Sequence, residues 1–464
     1  MTRGVRFGLL AAEILLLFFT AFFFSRFRYV AFAFRALSVI LCIFVLNAEM
    51  NDSYKTLYVF LLCVFPLFGS VVYFIMRLGK SVSEKRRKKR RKDGSKTGNY
   101  LAAEFGAEAL PAEDIRYYSC GKEFFDALTG DIEKAKKFVL LQFYIVKSGS
   151  LQKKVFKALQ AASERGVKVF LLYDGFGSAA FEKEIKKFGE ENDVKCRCFN
   201  KVGFLLNGGA NNRNHSKSAV IDGVKGYVGG VNIGDEYVGE DMRYGIWKDG
   251  GMSYRGKAVN ALTAAFFRLY NLRFRQKERA ERYFGDVKAG TEGIPLRTFV
   301  SEPTSGKSRQ AEVYKTLIYN AKKSVSVCTP YLILDDGVFS ALTAAAARGV
   351  EVAVVIPSIP DKKIVYAVTL SFAQRLKKQG VKIYLYKKGF LHAKNTVIDG
   401  KYVICGSANL DYRSMYLHYE TGIFFKNARI AGITERDLFS DTVEYEGKTK
   451  GIVGKFLKAF SPLM

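Results

Sequence analysis

The sequence is poor in the residues that most often build metal sites and disulfide frameworks. Its 464 residues include three histidines, one tryptophan and seven scattered cysteines. Cys196 and Cys198 are separated by one residue, which is too close for the C-x2-C half of a zinc knuckle. We therefore expect no structural zinc site and no disulfide framework.

Several common catalytic signatures are also missing. The sequence has no H-E-x-x-H metalloprotease motif and no G-x-S-x-G nucleophile turn. Gly306-Lys307-Ser308 resembles the end of a phosphate-binding loop, but the loop's first glycine is replaced by Ser301. These absences argue against zinc proteases, nucleophile-elbow hydrolases and P-loop nucleotidases.

Two of the three histidines lie in one repeated pattern, H-x-K-x4-D. The first copy runs from His215 to Asp222 and the second from His392 to Asp399, 177 residues later. Each copy is followed at matched offsets by a glycine, a small residue and an asparagine: Gly229, Gly230 and Asn232, then Gly406, Ser407 and Asn409. The repeat predicts two similar halves that build one site.

Each copy carries the groups that phosphodiester chemistry needs. An imidazole can act as a nucleophile or as a general acid and base. A lysine can neutralise the charge that builds on phosphorus, which a metal ion does elsewhere. On a strand, Lys217 and Lys394 share a face with the histidine two residues before them. Asn232 and Asn409 can donate hydrogen bonds to the phosphate, so we predict that they bind substrate.

The aspartates that end the two motifs complete the candidate catalytic set. Their odd spacing from the histidines places Asp222 and Asp399 on the opposite face of a strand, so we interpret them as structural members of it. A nucleophilic imidazole also needs a carboxylate that fixes its tautomer. Asp249 and Glu420 follow the two histidines at comparable distances and are the candidates. On a strand, His418 would share a face with Glu420. The sequence supports equally a role of His418 next to the site and ordinary packing of this side chain.

The order of elements from residue 115 onward is repeated, which predicts an α/β fold with two similar lobes and a largely parallel sheet. We place the lobes at residues 115–295 and 296–464. A strand, a helix and a second strand open each lobe: Phe138–Val146, Leu151–Arg165 and Val167–Tyr173, then Ser324–Ile333, Asp336–Arg348 and Val350–Ile356.

The N-terminal part combines apolar runs with a basic flank. The net charge is +29, yet 49% of the residues are hydrophobic. We predict a membrane anchor of transmembrane helices over residues 1–80 with two to three hydrophobic segments, Phe7–Phe24, Tyr29–Leu46 and Leu57–Met76. The sequence leaves open whether the first segment spans the membrane or lies at its surface. A basic linker, residues 81–114, would follow. Its run Lys85–Lys92 is more typical of a cytoplasmic membrane flank than of nucleic-acid binding. This pattern predicts a multi-pass protein of the cell membrane with cytoplasmic catalytic lobes.

The paired motifs resemble those of the phospholipase D superfamily, the HKD enzymes. Several flanking stretches resemble one branch of it, the bacterial cardiolipin synthases: Gln142–Ile145 (QFYI), Gly226–Tyr237 (GYVGGVNIGDEY) and Gly406–Ser414 (GSANLDYRS). Two departures lie near the expected substrate site. The family's Trp-Arg-Asp-Thr-His reads Trp247-Lys248-Asp249-Gly250-Gly251 here, and His418 stands where the family has an asparagine.

The resemblance implies a phosphatidyltransferase that converts two phosphatidylglycerol molecules to cardiolipin and glycerol. It assigns the nucleophile to His215 and the acid and base to His392, an assignment that the residues alone leave open. We expect no cofactor and no metal. The expected partners are phosphatidylglycerol and anionic membrane lipid, with no nucleic acid, and homo-oligomerisation stays open. The alternatives are a phospholipase D-type hydrolase or nuclease that uses water, transfer to another lipid acceptor, and an inactive lipid-binding scaffold.

Overall fold

The computed structural model describes residues 28–78, 109–201, 211–272, 277–285, 293–304 and 306–447. The chain forms two compact units, Met1–Gly79 and Lys80–Met464. The predicted apolar run Phe7–Phe24 and the basic run Lys85–Lys92 lie outside the described residues.

The described part of the N-terminal unit consists of three helices, α1 (Arg28–Leu46), α2 (Asp52–Val64) and α3 (Pro66–Leu78). The side chain of Asn51 caps α2 by accepting a hydrogen bond from the backbone N–H of Ser53. Proline restricts the residue before it, and Phe65 accordingly leaves the helical region with φ −128° and ψ 72°. The break between α2 and α3 therefore follows from Pro66.

The prediction of N-terminal transmembrane helices is wrong for this part of the chain. Across residues 28–78 and the other described ranges, no helix combines the length and the apolar character that crossing a membrane requires. The run Leu57–Met76, which we expected to form one span, is divided between two helices of 13 residues each. At about 1.5 Å per residue, each is shorter than the hydrocarbon core of roughly 30 Å.

The larger unit is built on a single sheet of fifteen strands. The first lobe contributes β1 (Leu110–Tyr118), β2 (Phe138–Phe143), β3 (Lys168–Asp174), β4 (Lys195–Phe199), β5 (Ser218–Ile221), β6 (Lys225–Gly229) and β7 (Gly251–Arg255). The second contributes β8 (Ile294–Ser301), β9 (Ser324–Cys328), β10 (Glu351–Pro357), β11 (Lys382–Tyr386), β12 (Asn395–Ile398), β13 (Tyr402–Gly406), β14 (Glu420–Lys426) and β15 (Thr442–Glu444). The strands of the predicted strand–helix–strand triplets correspond to β2 and β3 in the first lobe and to β9 and β10 in the second.

The strand order shows the duplication directly. It reads β15-β11-β10-β9-β12-β13-β14-β8-β1-β7-β6-β5-β2-β3-β4. From the centre outward, β8-β14-β13-β12-β9-β10-β11 repeats β1-β7-β6-β5-β2-β3-β4, and β8 pairs antiparallel with β1. The two lobes therefore share one sheet, and their motif strands β5 and β12 occupy equivalent places in it.

The sheet is mixed, and the prediction of a largely parallel sheet is wrong. Only β2, β3 and β4, and likewise β9, β10 and β11, run parallel to one another. The motif strands instead form hairpins, β5 with β6 and β12 with β13. Connections this short can join only antiparallel neighbours. The strands between each hairpin and the centre of the sheet are antiparallel as well, as are the pairs β2 with β5 and β9 with β12.

Helices cover both faces of the sheet. They are α4 (Gly121–Glu133), α5 (Ser150–Glu164), α6 (Glu182–Glu191), α7 (Ala258–Tyr270), α8 (Arg309–Asn320), α9 (Asp336–Ala347), α10 (Lys363–Lys377) and α11 (Ala428–Phe439). One apolar core contains side chains of both lobes, including Leu140, Val228, Val397 and Ile423. Full burial of such a side chain stabilises the fold by about 1.5–3 kcal/mol. Because Val220 of β5 and Val397 of β12 both belong to this core, it fixes the positions of the two motif strands relative to each other.

Candidate active site

The two motif histidines lie in extended segments that lead directly into β5 and β12. Backbone hydrogen bonds connect each of these segments to the other lobe. The N–H of His215 donates to the carbonyl of Tyr419 over 2.9 Å, and the N–H of His392 donates to the carbonyl of Lys248 over 2.8 Å. Both histidines are 7% exposed. The backbone of each lobe therefore positions the histidine of the other.

The carboxylates that orient the histidines are also exchanged between the lobes. Nδ1 of His215 lies 2.8 Å from Oε1 of Glu420, and Nδ1 of His392 lies 2.5 Å from Oδ2 of Asp249. Both carboxylates are fully buried. Engagement of Nδ1 leaves Nε2 of each ring for chemistry. Sequence analysis selected these four residues, and the structure brings them together, with each carboxylate on the histidine of the opposite lobe.

The small residues found at matched offsets explain how the carboxylates fit. A side chain at Gly230 would collide with the carboxylate of Asp249, so this position has no room for a Cβ atom. In the second lobe, Ser407 fills the equivalent position and its Oγ donates to Oε2 of Glu420 over 2.5 Å. Asp249 instead accepts from the N–H of Gly250 over 2.8 Å. The repeated offset thus marks the support of each carboxylate.

The two motif lysines are buried beside the histidines. Lys217 is 0% and Lys394 is 3% exposed. Nζ of Lys217 donates to the carbonyl of His215 over 2.5 Å. Nζ of Lys394 donates to the carbonyl of His392 and also lies 2.8 Å from its Nδ1. Two buried ammonium groups beside two imidazoles form a site suited to an anion.

Burial shifts the acid–base equilibria of the site. It lowers the pKa of His215 and of His392 well below the usual value, and the nearby lysines add to the effect. Burial also lowers the pKa of Lys217 to about 7, against the opposing charge of Glu420. It raises the pKa of Asp249 to about 7, against the charge of Lys394. Both rings are therefore neutral at physiological pH before substrate binds.

The motif aspartates bind backbone at the far end of the motif strands. The carboxylate of Asp222 accepts from the N–H groups of residues 136–138, which lead into β2. That of Asp399 accepts from the N–H groups of residues 322–324, which lead into β9. Both aspartates have φ 55° and precede a glycine with positive φ, an Asp-Gly pair typical of hairpin turns. The structure does not bring these carboxylates to the histidines, although they belong to the candidate catalytic set.

The two asparagines of the repeat make contacts within their own lobes. Asn232 accepts from the N–H of Ile145 over 3.1 Å and donates to the hydroxyl of Tyr237 over 2.7 Å. Asn409 donates to Asp411 over 3.0 Å. One N–H of each amide is therefore engaged within the protein.

Comparisons with known proteins agree on one family. The family model "Cardiolipin synthase, PLD-like domain" matches residues 128–249 and 314–441, one match in each lobe. The chain belongs to the cardiolipin synthase family. It is 34% identical over 361 residues to cardiolipin synthase 2 of Staphylococcus epidermidis, covering 76% of this chain and 74% of that protein. It is 35% identical over 346 residues to cardiolipin synthase of Staphylococcus aureus, covering 74% and 70%.

A solved structure shares the fold. The phosphatidylserine synthase of Haemophilus influenzae Rd KW20 superimposes with a TM-score of 0.59 at 15% sequence identity. The match covers 77% of this chain and 95% of that one. At this identity the likeness concerns the arrangement of the two lobes. The resemblance to the cardiolipin synthases seen in the sequence is confirmed by the family model and the relatives.

Sequence reasoning assigned no role to several residues that surround the histidines of this family member. An aromatic wall of Trp247, Phe390 and Tyr237 flanks His392, with ring centroids 5.3, 5.8 and 5.5 Å from the imidazole. His215 has the ring of Tyr144 at 4.9 Å. Tyr144 and Tyr237 lie in the QFYI and Gly226–Tyr237 stretches that resemble the cardiolipin synthases. Their aromatic content was the signal that could have identified Tyr144 and Tyr237.

The third histidine lies against the first. The ring centroids of His418 and His215 are 5.2 Å apart. Nδ1 of His418 lies 3.7 Å from Oε1 of Glu420, which is too long for a hydrogen bond. One atom from each of His215, His418 and Glu420 lies within 4.8 Å of the others, so these three residues could hold a metal ion. The sequence hides this group, since its members come from both lobes.

Proposed function

We propose that this member of the cardiolipin synthase family is a membrane-bound phosphatidyltransferase that makes cardiolipin and glycerol from two phosphatidylglycerol molecules. The observation that carries the proposal is the crossed pair of histidine–carboxylate contacts. It supports a single buried site with two imidazoles held through Nδ1 and two buried lysines beside them. A phosphodiester exchange needs one nucleophile, one proton donor and fixed positive charge, and this set supplies all three.

In the first half of the proposed reaction, the anionic substrate binds and Nε2 of His392 takes up a proton from solvent. Nε2 of His215 then attacks the phosphorus of a phosphatidylglycerol. The phosphorus–oxygen bond to the headgroup glycerol breaks, and that oxygen takes the proton from Nε2 of His392. Glycerol leaves, and a phosphatidyl-histidine remains on His215. Lys217 and Lys394 offset the charge that builds on the non-bridging oxygens, and Asn232 and Asn409 are placed to donate to them.

In the second half, the glycerol hydroxyl of another phosphatidylglycerol attacks the phosphatidyl-histidine. Its proton passes to Nε2 of His392, and the bond between phosphorus and His215 breaks. The products are cardiolipin and the neutral His215. One phosphodiester replaces another, so the exchange needs no nucleotide and no external source of energy.

The environments of the two histidines support the assignment of roles. Nδ1 of His215 contacts the carboxylate of Glu420, and its low pKa, set by burial and the lysines, keeps Nε2 unprotonated for attack. Nδ1 of His392 lies between the carboxylate of Asp249 and the ammonium of Lys394. A ring that contacts both the carboxylate of Asp249 and the ammonium of Lys394 suits a group that donates a proton in one step and accepts one in the next. The anionic substrate raises the proton affinity of this ring.

The main alternative uses the same site with water in place of the lipid acceptor. A hydrolase of this kind would release phosphatidic acid and glycerol. The aromatic wall beside His392 favours transfer, because the half-buried ring of Trp247, backed by the buried Phe390, places apolar surface beside the imidazole. An apolar wall stabilises a lipid acceptor and disfavours bulk water.

The proposed location is the surface of the cell membrane, with the lobes on the cytoplasmic side. Both substrates are lipids, and the run Lys85–Lys92 would be attracted to the anionic lipids of the inner leaflet. Each basic residue near such a surface adds about 1 kcal/mol. Labelling of an engineered Ser95→Cys by an impermeant reagent in intact cells would contradict this side.

The decisive experiment incubates the purified full chain with phosphatidylglycerol vesicles and a chelator, followed by lipid mass spectrometry and a glycerol assay. We expect one glycerol for each cardiolipin formed, with no divalent ion added. Phosphatidic acid as the sole lipid product would instead identify a hydrolase. Activity lost in chelator and restored by a divalent ion would contradict the proposed use of lysines in place of a metal.

A further inference from the structure

The group formed by His215, His418 and Glu420 has the composition and spacing of a transition-metal site. Two imidazoles and one carboxylate are a ligand set that zinc accepts, with an open fourth position. Tetrahedral ligands about 2.0 Å from a zinc ion lie about 3.3 Å from one another. Oε1 of Glu420 lies 2.8 Å from Nδ1 of His215 and 3.7 Å from Nδ1 of His418, which brackets that value.

His418 is poised for a partner that the protein does not supply. It is 7% exposed, and neither ring nitrogen has a hydrogen-bond partner among the residues that the structure describes. A buried polar group without a partner costs about 1–3 kcal/mol, so such a position usually has a reason. A neutral imidazole is the form that binds a metal.

We propose that His215, His418 and Glu420 form an inhibitory site for a borderline-soft divalent cation such as Zn²⁺. The site is separate from any requirement of the reaction for a metal. The charge of an added cation is opposed by four basic groups that act on His215: Lys217, Lys394, Lys362 and Arg413. We therefore expect weaker binding than in a structural zinc site, in the range where a change in metal concentration switches occupancy.

Metal binding would inhibit by changing the tautomer of His215. In the free site, Nδ1 of His215 donates its proton to Glu420 and Nε2 keeps the lone pair that attacks phosphorus. A cation between these groups takes the lone pair of Nδ1, and the single proton of the neutral ring then resides on Nε2. The attacking lone pair is lost without any change in the ring's charge. The metal site stands independently of the proposed function, and only its inhibitory effect depends on it.

The test titrates Co²⁺ into the purified full chain in detergent and follows the visible d–d absorption, with Zn²⁺ added in competition. Three chains are compared: the unaltered one, His418→Asn and His392→Asn. Asparagine removes the third ligand in a shape close to that of histidine. His392→Asn alters the other motif histidine, which lies outside the metal group. Binding by the cysteines would be distinguished by thiolate charge-transfer bands in the near ultraviolet.

We expect one Co²⁺ per chain in the unaltered protein and in His392→Asn. His418→Asn should weaken Zn²⁺ binding by at least ~10-fold. In the vesicle assay, Zn²⁺ should inhibit the unaltered chain at concentrations at least ~10-fold below those that inhibit His418→Asn, with recovery on chelation. Equal Co²⁺ spectra and Zn²⁺ affinities in all three chains would overturn the site. Binding that depends on His418, in a chain that makes no cardiolipin, would leave the site standing and refute the proposed function.

Discussion

In both lobes the motif histidine precedes a central strand, and the motif ends in an Asp-Gly hairpin turn. The aspartate of that turn accepts hydrogen bonds from the backbone just before the neighbouring antiparallel strand, β2 or β9. These shared features concern the backbone. The side chains around the two rings differ. His215 has a glutamate supported by Ser407 and lies beside His418 and Tyr144. His392 has an aspartate packed against Gly230, a lysine on the same nitrogen and an aromatic wall.

The comparison shows which part of a duplicated site stays fixed and which part diverges. Each lobe supplies the carboxylate that contacts the motif histidine of the other lobe. The two lobes therefore form a single site, and neither lobe alone contains both a motif histidine and the carboxylate that orients it. The groups around each ring are then free to differ. We interpret the polar surroundings of His215 as suited to a nucleophile and the mixed surroundings of His392 as suited to proton transfer. Each prediction below breaks one half and compares it with the other.

The largest effect should come from removing either ring. His215→Ala and His392→Ala should each lower the rate of cardiolipin formation by ~10⁴-fold or more, because members of one catalytic unit act together. Thermal unfolding should show that both variants remain folded. The two variants should differ in what they accumulate. A phosphatidylated peptide from His392→Ala should contain His215, and finding it at His392 in the His215→Ala chain would reverse the assignment.

The next effect should come from the crossed carboxylates. Glu420→Gln should impair the step that uses His215, and Asp249→Asn the steps that use His392, each by ~10²–10⁴-fold, since an amide no longer holds the ring in the required tautomer. The informative measurement is the release of glycerol in a single turnover against the formation of cardiolipin. Glu420→Gln should slow the first release. If Glu420→Gln left that release untouched, the contact between the lobes would be structural only.

The sequence predicted the site better than the fold. The repeat of His215 and His392, with its lysines, is a local pattern that reads directly, and the strand period placed the motif aspartates away from the rings. The sequence could not show that Asp249 contacts His392 and that Glu420 contacts His215. The order of residues along the chain does not tell whether a carboxylate contacts the histidine of its own lobe or that of the other lobe. The grouping of His418 with His215 was hidden for the same reason.

The fold predictions were wrong where a single turn-forming residue decided the structure against the average character of the surrounding segment. Leu57–Met76 has the composition of a membrane span, but Pro66 divides it into two short helices. The sheet was expected to be largely parallel from the alternation of strands and helices. The motif strands instead turn back at Asp222 and Asp399 to form antiparallel hairpins, and most other strand pairs are antiparallel too. Both errors came from reading periodicity over a window and giving turn-forming residues too little weight.

A smaller effect should appear in the pH dependence, where two groups of the first lobe, Asp249 beside His392 and Lys217 beside His215, titrate in opposite senses. Below about pH 7 the Asp249 carboxyl takes up a proton and no longer holds His392, since burial raises its pKa to about 7. Above about pH 7 Lys217 loses its charge, since burial lowers its pKa to about 7. kcat/KM, which reports the free enzyme, should therefore peak near neutrality.

Lys217→Arg separates the two limbs. An arginine stays charged, so the alkaline fall of kcat/KM, roughly tenfold per pH unit, should disappear while the acid limb remains. The shape of the profile is the measurement, because the maximum rate will also change with the larger side chain. An alkaline limb that persists at the same pH in Lys217→Arg would assign it to another group.

The smallest effect on turnover should come from Asp222 and Asp399, the part of the motif in which the two lobes are alike. Asp222→Ala and Asp399→Ala each remove the acceptor of three backbone N–H groups and should lower the free energy of unfolding by about 1–2 kcal/mol.

Burial tends to raise the pKa of Asp399, but the N–H groups of residues 322–324 outweigh it and lower the pKa. This carboxylate therefore stabilises the fold above its ordinary pKa and loses that contribution as the pH falls. In urea unfolding, the deficit of Asp399→Ala should accordingly be full at pH 7 and shrink in acid. Near-normal kcat in both variants, after correction for the folded fraction, is the expected outcome. A loss as large as that of the carboxylate variants would make these aspartates part of the chemistry.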